Sequence, residues 1–291
     1  MNAAADGEYA ICLRIVDGTV GLRTDRTVVR DVAERVYGRL LSEPDDATGW
    51  ARIRGGVFVG GGAERILPHW GDVTSVEGAL EAMQALVAWG FLLERRVTAV
   101  RGAAVARGAW AVALVGAPTA GKTTLALCAV AAGWKMLADE YVVIDRASGR
   151  VRAYPKYPLL RSQALDLLGT YDAAALDDAL RVEWAGRAGV TYHGVDLDRL
   201  FDRRVWGAGA ALREIVFLGC AGDEPVAGDP TACAVRLARS MLTGGCGGDR
   251  IVEAMALARR WPCRVIERAA PAAMVAALED PPMARRRAPG A

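Results

Sequence analysis

The segment from Gly116 to Thr123 constrains this chain more than any other. It reads Gly-Ala-Pro-Thr-Ala-Gly-Lys-Thr and fits the pattern G-x-x-x-x-G-K-[ST]. An apolar run of strand length, Trp110–Val115, precedes it, and a helix-favouring run, Leu125–Val130, follows it. In such an arrangement the glycines let the main chain bend around a polyphosphate, and the helix N-terminus points its N–H groups at the anion. The sequence therefore predicts a phosphate-binding loop, with an ordinary glycine-rich turn as the alternative interpretation.

The residues of this loop have separate expected roles. We expect Lys122 to contact the β- and γ-phosphates and the Thr123 hydroxyl to ligate Mg²⁺, so that ATP and Mg²⁺ are the predicted cofactors. The residues predicted to surround the nucleotide are Gly116, Ala117, Pro118, Thr119, Ala120, Gly121, Lys122, Thr123 and Thr124.

An acidic pair, Asp139-Glu140, lies seventeen residues beyond Lys122. We expect a helix over 122–132, a reversal at Gly133, and two short strands at 134–137 and 141–144. The acidic pair would then lie beside the loop, at the sheet edge where open α/β sheets bind ligands. In this interpretation Asp139 holds Mg²⁺ together with Thr123, and Glu140 takes the proton of an attacking hydroxyl. The alternative is an exposed hairpin turn with two solvated carboxylates.

Composition narrows the class of protein. Of the 291 residues, 53% are apolar and 24% are charged, as in soluble globular chains. The 36 basic and 34 acidic side chains leave a formal net charge of +2, which gives no reason to expect nucleic acid as a partner. The first residues show no signal peptide, and no apolar run approaches the ~18 residues of a membrane span. We therefore expect a cytoplasmic protein without membrane contact.

The cysteines and histidines indicate no metal centre. Six cysteines include no Cys-x-x-Cys pair, although Cys220, Cys233 and Cys246 follow each other in equal steps of thirteen residues. Because the chain has only two histidines, His69 and His193, we interpret the cysteines as free buried thiols rather than zinc ligands. We interpret both histidines as structural.

The pattern of apolar residues predicts an α/β chain with a small α+β lobe over residues 1–95 and a larger domain, which contains the phosphate-binding loop, over 96–280. The tail over 281–291 is expected to be disordered. In the lobe it indicates a hairpin at 9–16 and 19–23, a strand at 53–59, and helices at 28–41 and 75–93. In the larger domain it indicates strands at 97–105, 109–115, 212–218 and 263–266. Helices are expected at 172–181, 231–242, 249–260 and 271–278.

These motifs resemble those of the HPr kinase/phosphorylase family, and more closely those of its shorter relatives, the HPr-kinase-related proteins of bacterial gene clusters. The similarity runs from about Thr98 to Leu278. It includes the loop, the stretch Ala-Gly-Trp-Lys-Met-Leu-Ala-Asp-Glu-Tyr-Val-Val-Ile-Asp, and the weaker later blocks Tyr-Pro-Lys-Tyr-Pro-Leu-Leu-Arg and Ala-Leu-Arg-Glu-Ile-Val-Phe-Leu. The resemblance implies a P-loop core with a mixed sheet, shared with phosphoenolpyruvate carboxykinases.

The resemblance also implies phosphorylation of a hydroxyl, often serine, on a protein or peptide, and oligomers are common in the family. Two positions depart from its pattern: Glu140 stands where the family usually has a second Asp, and Arg101 stands where it has a His. Arginine cannot shuttle a proton at neutral pH, which puts phosphorolysis in doubt more than the kinase reaction. The family's downstream metal-binding Glu would correspond to Glu183.

Other residues are weaker candidates. Lys156 and Arg161 flank a proline pair and are candidates for nucleotide or phosphate contact, with surface charges as the alternative. The stretch 203–209 is a candidate for closing over substrate or a plain connecting loop. Three functions stay open: a peptide or protein kinase, a small-molecule kinase, and a non-catalytic nucleotide-dependent binding protein.

Overall fold

A computed structural model describes residues 8–43, 47, 49–54, 57–58, 73–167, 173–185, 190–219, 229–242, 247–267 and 269–280. Its strands are β1 Tyr9–Ile15, β2 Gly18–Thr24, β3 Gly49–Arg54, β4 Val57–Phe58, β5 Val97–Arg107, β6 Trp110–Val115, β7 Lys135–Asp145, β8 Arg150–Arg152, β9 Leu159–Arg161, β10 Leu180–Ala185, β11 Thr191–Val195, β12 Gly209–Gly219 and β13 Cys263–Glu267. Its helices are α1 Thr27–Tyr37, α2 Val76–Leu93, α3 Lys122–Ala131, α4 Ser162–Leu167, α5 Ala173–Ala179, α6 Leu197–Leu200, α7 Pro230–Ser240, α8 Gly247–Arg260 and α9 Pro271–Glu279.

The chain divides into two compact units, and the first is built from two separate stretches. The first unit combines Met1–Arg95 with Tyr154–Arg203, and the second combines Arg96–Ala153 with Arg204–Ala291. The sequence prediction assigns residues 96–280 to one domain, so it differs from this division for residues 154–203. The predicted tail, 281–291, lies outside the described residues.

The first unit begins with a hairpin covered by helices. Strands β1 and β2 pair antiparallel over seven residues each, as the sequence predicts. Helix α2 begins after Ser75, whose hydroxyl accepts a hydrogen bond from the Gly78 N–H at 3.1 Å. It lies so close to the hairpin that a Cβ on Gly90 would be 2.8 Å from Ile15. The single strand predicted at 53–59 is wrong, because β3 and β4 pair antiparallel with Ile53 opposite Phe58.

A buried carboxylate explains why residues 154–203 belong to the first unit. Strands β10, β11 and β9 form an antiparallel sheet, and Asp196 follows directly after β11. The Asp196 carboxylate receives Arg181 at 2.8 Å and Arg39, which lies beyond the C-terminus of α1, at 3.2 Å. Burial alone would raise the pKa of Asp196, but these two arginines lower it overall. Loss of either arginine would leave the buried carboxylate less compensated, and the Arg39 contact joins this segment to the residues that follow α1.

The second unit is built on a closed sheet. The strand order is β13-β12-β6-β5-β7-β8. Because β8 also pairs with β12, the five strands β12, β6, β5, β7 and β8 close into a small barrel. Closure brings the backbones together at Gly209, where φ is +128° and an added Cβ would lie 2.7 Å from the Val151 carbonyl oxygen. The structure confirms an α/β chain with a mixed sheet, while the closure is a feature that the sequence did not predict.

Most predicted elements of the second unit lie where the sequence places them. Helix α3 starts at Lys122, and helices α7, α8 and α9 and strand β13 match their predicted ranges to within three residues. The two strands predicted at 134–137 and 141–144 are wrong, because β7 runs without interruption from Lys135 to Asp145. Within this strand Glu140 adopts φ +80°, and its pairing with Gly102 of β5 is kept.

Candidate functional site

The loop between β6 and α3 holds a tight bend. Its backbone turns at Thr119 and Gly121, which have φ of +67° and +91°. The Ala120 N–H donates to the Ala117 carbonyl at 3.2 Å, and the Leu125 N–H donates to the Gly121 carbonyl at 2.8 Å, which begins the helix. At the start of the loop a Cβ on Gly116 would lie 3.0 Å from the Leu218 carbonyl oxygen. Both glycines of the motif are therefore needed, Gly116 for space and Gly121 for its conformation.

Lys122 folds back over this loop. Its ammonium donates to the Gly116 carbonyl at 3.0 Å and to the Ala117 carbonyl at 2.7 Å. Burial lowers the pKa of Lys122, the nearby Asp139 carboxylate raises it, and the Arg101 charge lowers it further. The lysine, the arginine and the carboxylate are therefore close enough to interact electrostatically around the loop.

Asp139 lies directly beside the first turn of α3. The Thr123 hydroxyl donates to its Oδ1 at 2.7 Å, and Asp139 is only 5% exposed. Strand register explains the contact: Asp139 pairs with Ala103 of β5, and Ala103 pairs with Leu114 near the end of β6. The acidic pair is thus level with the start of the loop, although it lies within a continuous strand instead of at a strand end.

Glu140 lies opposite Gly102, which in turn lies opposite Val115, the last residue before the loop. Glycine is needed there, since a Cβ on Gly102 would be 2.4 Å from the Leu114 carbonyl oxygen. The Glu140 side chain is half-buried, and its Oε2 atom is shielded from solvent. Glu140 therefore stands one residue beyond Asp139, at the level where β6 passes into the loop.

Tyr141 links Glu140 to Arg101. Burial raises the pKa of Tyr141, the Glu140 charge adds to this effect, and Arg101 opposes it by its charge and by a hydrogen bond to the hydroxyl. Arg101 is exposed and opposes Tyr141 in the strand register. Sequence reasoning did not single out Tyr141. Its position directly after the acidic pair was the available signal.

The pair of oxygen donors fits a magnesium ion. Mg²⁺ prefers hard oxygen ligands and is usually bound by one or two protein groups, with water and phosphate completing its coordination. The Thr123 hydroxyl and the Asp139 carboxylate are such ligands and already face each other at 2.7 Å. Within the described residues no group of three or more His, Cys, Asp or Glu side chains could hold a metal ion. A metal here would therefore depend on the bound phosphates for further ligands.

The other candidates lie elsewhere in the chain. Lys156, Arg161 and Glu183 belong to the first unit, whereas the loop and the acidic pair belong to the second. Lys156 is buried with its ammonium 5.8 Å from the centre of the Tyr37 ring. Arg161 is exposed and lies against the Tyr192 ring.

The stretch suggested as a substrate-closing loop is attached to β7 in the second unit. The Met136 N–H donates to the Val205 carbonyl at 2.9 Å, and the Gly207 N–H donates to the Met136 carbonyl at 2.9 Å. Both Val205 and Trp206 are buried. These contacts favour the plain connecting segment over a closing loop.

Two further features bear on the class of protein, the cysteines and the apolar helices. Cys12 and Cys233 are buried as predicted, whereas Cys128 and Cys263 are half-buried, and none of these four forms a disulfide. Cys220, Cys246 and His69 lie outside the described residues. Among the described helices one, α2, is long and apolar enough to cross a membrane, but 56% of it is buried inside the protein, and core helices pass the same test.

Comparisons with known proteins leave the site to be interpreted from its geometry. No model of a known protein family matches the chain, and no curated protein shows significant similarity to it.

Proposed function

We propose that this chain is an ATP-dependent kinase that transfers the γ-phosphoryl group to a hydroxyl, most simply the serine of a peptide or protein. Its second unit would then be a P-loop core of the HPr kinase and carboxykinase type. The observation that carries the proposal is the 2.7 Å contact between Thr123 and Asp139 beside the loop that begins at Gly116. A loop lysine, a hydroxyl ligand and a buried carboxylate at one place are the groups that phosphoryl transfer needs.

Each residue has a defined task in this reaction. The Lys122 ammonium exchanges its two loop carbonyls for phosphate oxygens and offsets the charge of the transferred group. Thr123 and Asp139 would hold Mg²⁺, which would supply charge neutralisation for the phosphates. Glu140 accepts the proton of the acceptor hydroxyl while a new oxygen–phosphorus bond forms. The bond between the γ-phosphorus and the bridging oxygen breaks, and ADP leaves with that electron pair.

One observation favours a non-catalytic alternative. Arg101 stands where the resemblance implies a proton-shuttling histidine, and it hydrogen-bonds Tyr141. A protein that binds nucleotide and signals its presence needs the loop but no base. A small-molecule acceptor in place of a peptide would use the same groups, since Glu140 acts only on the hydroxyl.

Transfer from γ-labelled ATP tests the proposal. The wild-type chain is incubated with Mg²⁺, labelled ATP and either serine-containing peptides or free serine and sugars, and products are read by mass. We expect phosphate on an alcohol, lost in Lys122→Ala and in Glu140→Gln. Matched controls are Lys135→Ala and Glu267→Gln, which change exposed residues of β7 and β13. Tight ATP binding with neither transfer nor hydrolysis would support the binding protein, and transfer that survives both site variants would overturn the assignment.

A further inference from the structure

Three polar side chains meet in the first unit. The Ser162 Oγ lies 3.1 Å from the His193 Nε2, and the His193 Nδ1 lies 3.1 Å from the Glu183 Oε2. We call Ser162, His193 and Glu183 the serine cluster. Sequence reasoning considered His193 structural and Glu183 a metal ligand, and it did not consider Ser162.

Strand pairing explains why the three side chains meet. In the antiparallel sheet β10-β11-β9, Glu183 pairs with His193, and His193 pairs with Leu160. Paired residues of neighbouring strands project from the same face of a sheet. Ser162 follows Leu160 by two residues, where β9 passes into α4, so it returns to that face beside the histidine. The contact is therefore built into the register of the sheet.

The three residues differ in how far they are exposed to solvent. His193 is only 9% exposed, whereas the Glu183 side chain is 60% exposed and Ser162 is exposed. The imidazole is thus held by its surroundings, while the serine oxygen can be reached from solvent. A hydroxyl that is both accessible and hydrogen-bonded to a fixed imidazole is the arrangement used for nucleophilic catalysis.

The tautomer of the His193 ring decides whether Ser162 is the donor or the acceptor in their contact. With the proton on Nδ1, beside the carboxylate, Nε2 is the acceptor and the Ser162 hydroxyl the donor. The Glu183 oxygen lies within 3.1 Å of Nδ1 but off the axis of a hydrogen bond. Its contribution is therefore chiefly the negative charge that stabilises the imidazolium formed when His193 takes the serine proton. Glu183 is a positioning residue that acts through His193.

We propose that the serine cluster is a second reactive site, in which Ser162 is a nucleophile toward small, solvent-accessible acyl esters. The Ser162 oxygen attacks the ester carbonyl and its proton passes to the His193 Nε2. The acyl–oxygen bond of the ester breaks, and the departing alkoxide takes the proton from His193. Water then attacks the acyl-serine with the same histidine as base, which releases the carboxylic acid and restores Ser162. The site is independent of the proposed kinase function.

Labelling by a fluorophosphonate tests this assignment directly, since such reagents react with activated serines. The full-length chain is treated with diisopropyl fluorophosphate and mapped by peptide mass, and release of p-nitrophenol from p-nitrophenyl acetate is followed in parallel. We expect one label, on Ser162, and ester turnover that the label abolishes. Ser162→Ala should lose both. The control Ser148→Ala removes an exposed hydroxyl that donates to Asp145 and should change neither.

The histidine and glutamate variants separate a reactive role from a structural one. His193→Gln should slow labelling by about 100-fold or more, the contribution of a general base. Glu183→Gln should slow it less, and Glu183→Asp should restore most of the rate because it keeps the charge. Circular dichroism establishes that each variant is folded. An unlabelled Ser162 in the folded wild-type chain, labelling unaffected by His193→Gln or Glu183→Gln, or phosphate from Mg-ATP as the only modification found on Ser162 would each overturn the proposal.

Discussion

The hydroxyl of Thr123 donates to the carboxylate of Asp139 at 2.7 Å, across sixteen residues of chain. This contact fixes the first turn of α3 against the middle of β7. The two oxygens that would hold Mg²⁺ in the proposed kinase therefore already face each other in the folded chain. We expect such preorganisation to reduce the free energy needed to assemble the site.

The energetic coupling of these two residues can be measured. In Thr123→Val or Asp139→Ala, a part-buried polar group loses its partner, so each change should lower the free energy of unfolding by about 1–3 kcal/mol. The double variant should lose less than the sum, with a coupling of at least about 0.5 kcal/mol. Urea denaturation of the four proteins gives the cycle. Thr124→Val is the matched control on the next residue of α3, and strictly additive losses would contradict the contact.

Lys122 should matter for nucleotide binding and little for folding. Because burial already lowers the pKa of its ammonium, Lys122→Ala should leave the thermal midpoint unchanged or raise it slightly. The affinity for Mg-ATP should fall at least about tenfold, a change of about 1.4 kcal/mol. Isothermal titration calorimetry measures this change, with Lys135→Ala as the control. Equal losses in the two variants would show that Lys122 has no special role.

Glu140 should lower the free energy of unfolding while it supports phosphoryl transfer. A non-glycine residue at φ +80° is strained, so Glu140→Gly should raise the free energy of unfolding by about 1 kcal/mol while phosphoryl transfer is lost. Glu140→Ala keeps a Cβ at the same φ and should lose transfer without that gain. Urea denaturation and the transfer assay are run on both variants. A glycine variant less stable than the alanine variant would contradict the strain at this position.

Asp196 should make the first unit sensitive to acid. Its pKa in the folded chain is lower than in the unfolded chain, so its contribution is present above the ordinary aspartate value of 3.8 and is lost as the pH falls below it. Asp196→Asn should lower the free energy of unfolding by about 3 kcal/mol at neutral pH and flatten its decline in acid. Denaturation at pH 7 and in acid measures both effects.

The matched control for this prediction is Asp178→Asn. Asp178 pairs with Arg199 at 3.0 Å but lies on the surface, with 65% of its side chain exposed. An exposed ion pair contributes little, so this change should have an effect below about 1 kcal/mol. Equal losses in the two variants would show that burial of Asp196 does not determine its contribution.

The sequence predicted the parts of the fold that depend on local patterning. The helix over 75–93, the hairpin at its N-terminal side and the loop before α3 each carry a periodicity or a glycine pattern that acts within about twenty residues. It also placed Asp139 near the loop. It was wrong in predicting two short strands around the acidic pair, where β7 is continuous. The positive φ of Glu140 also left no signal, because such a conformation is typical of glycine or asparagine.

What the sequence could not show depends on pairings between distant residues. The assignment of 154–203 to the first unit depends on Arg39 reaching Asp196, which are 157 residues apart. The serine cluster depends on strand register between β9, β10 and β11. Barrel closure depends on the pairing of Gly209 with Arg152. No local pattern encodes which of many arginines or short strands will meet.

The two-part origin of the first unit has a consequence during synthesis. Residues 1–95 leave the ribosome early, yet β9, β10, β11 and the Asp196 ion pairs exist only once residue 203 has been translated. Until then the N-terminal segment of the nascent chain is incomplete, because β10, which packs on α1, has not yet been made. Pausing, chaperone capture and proteolysis during translation should therefore concentrate in that interval.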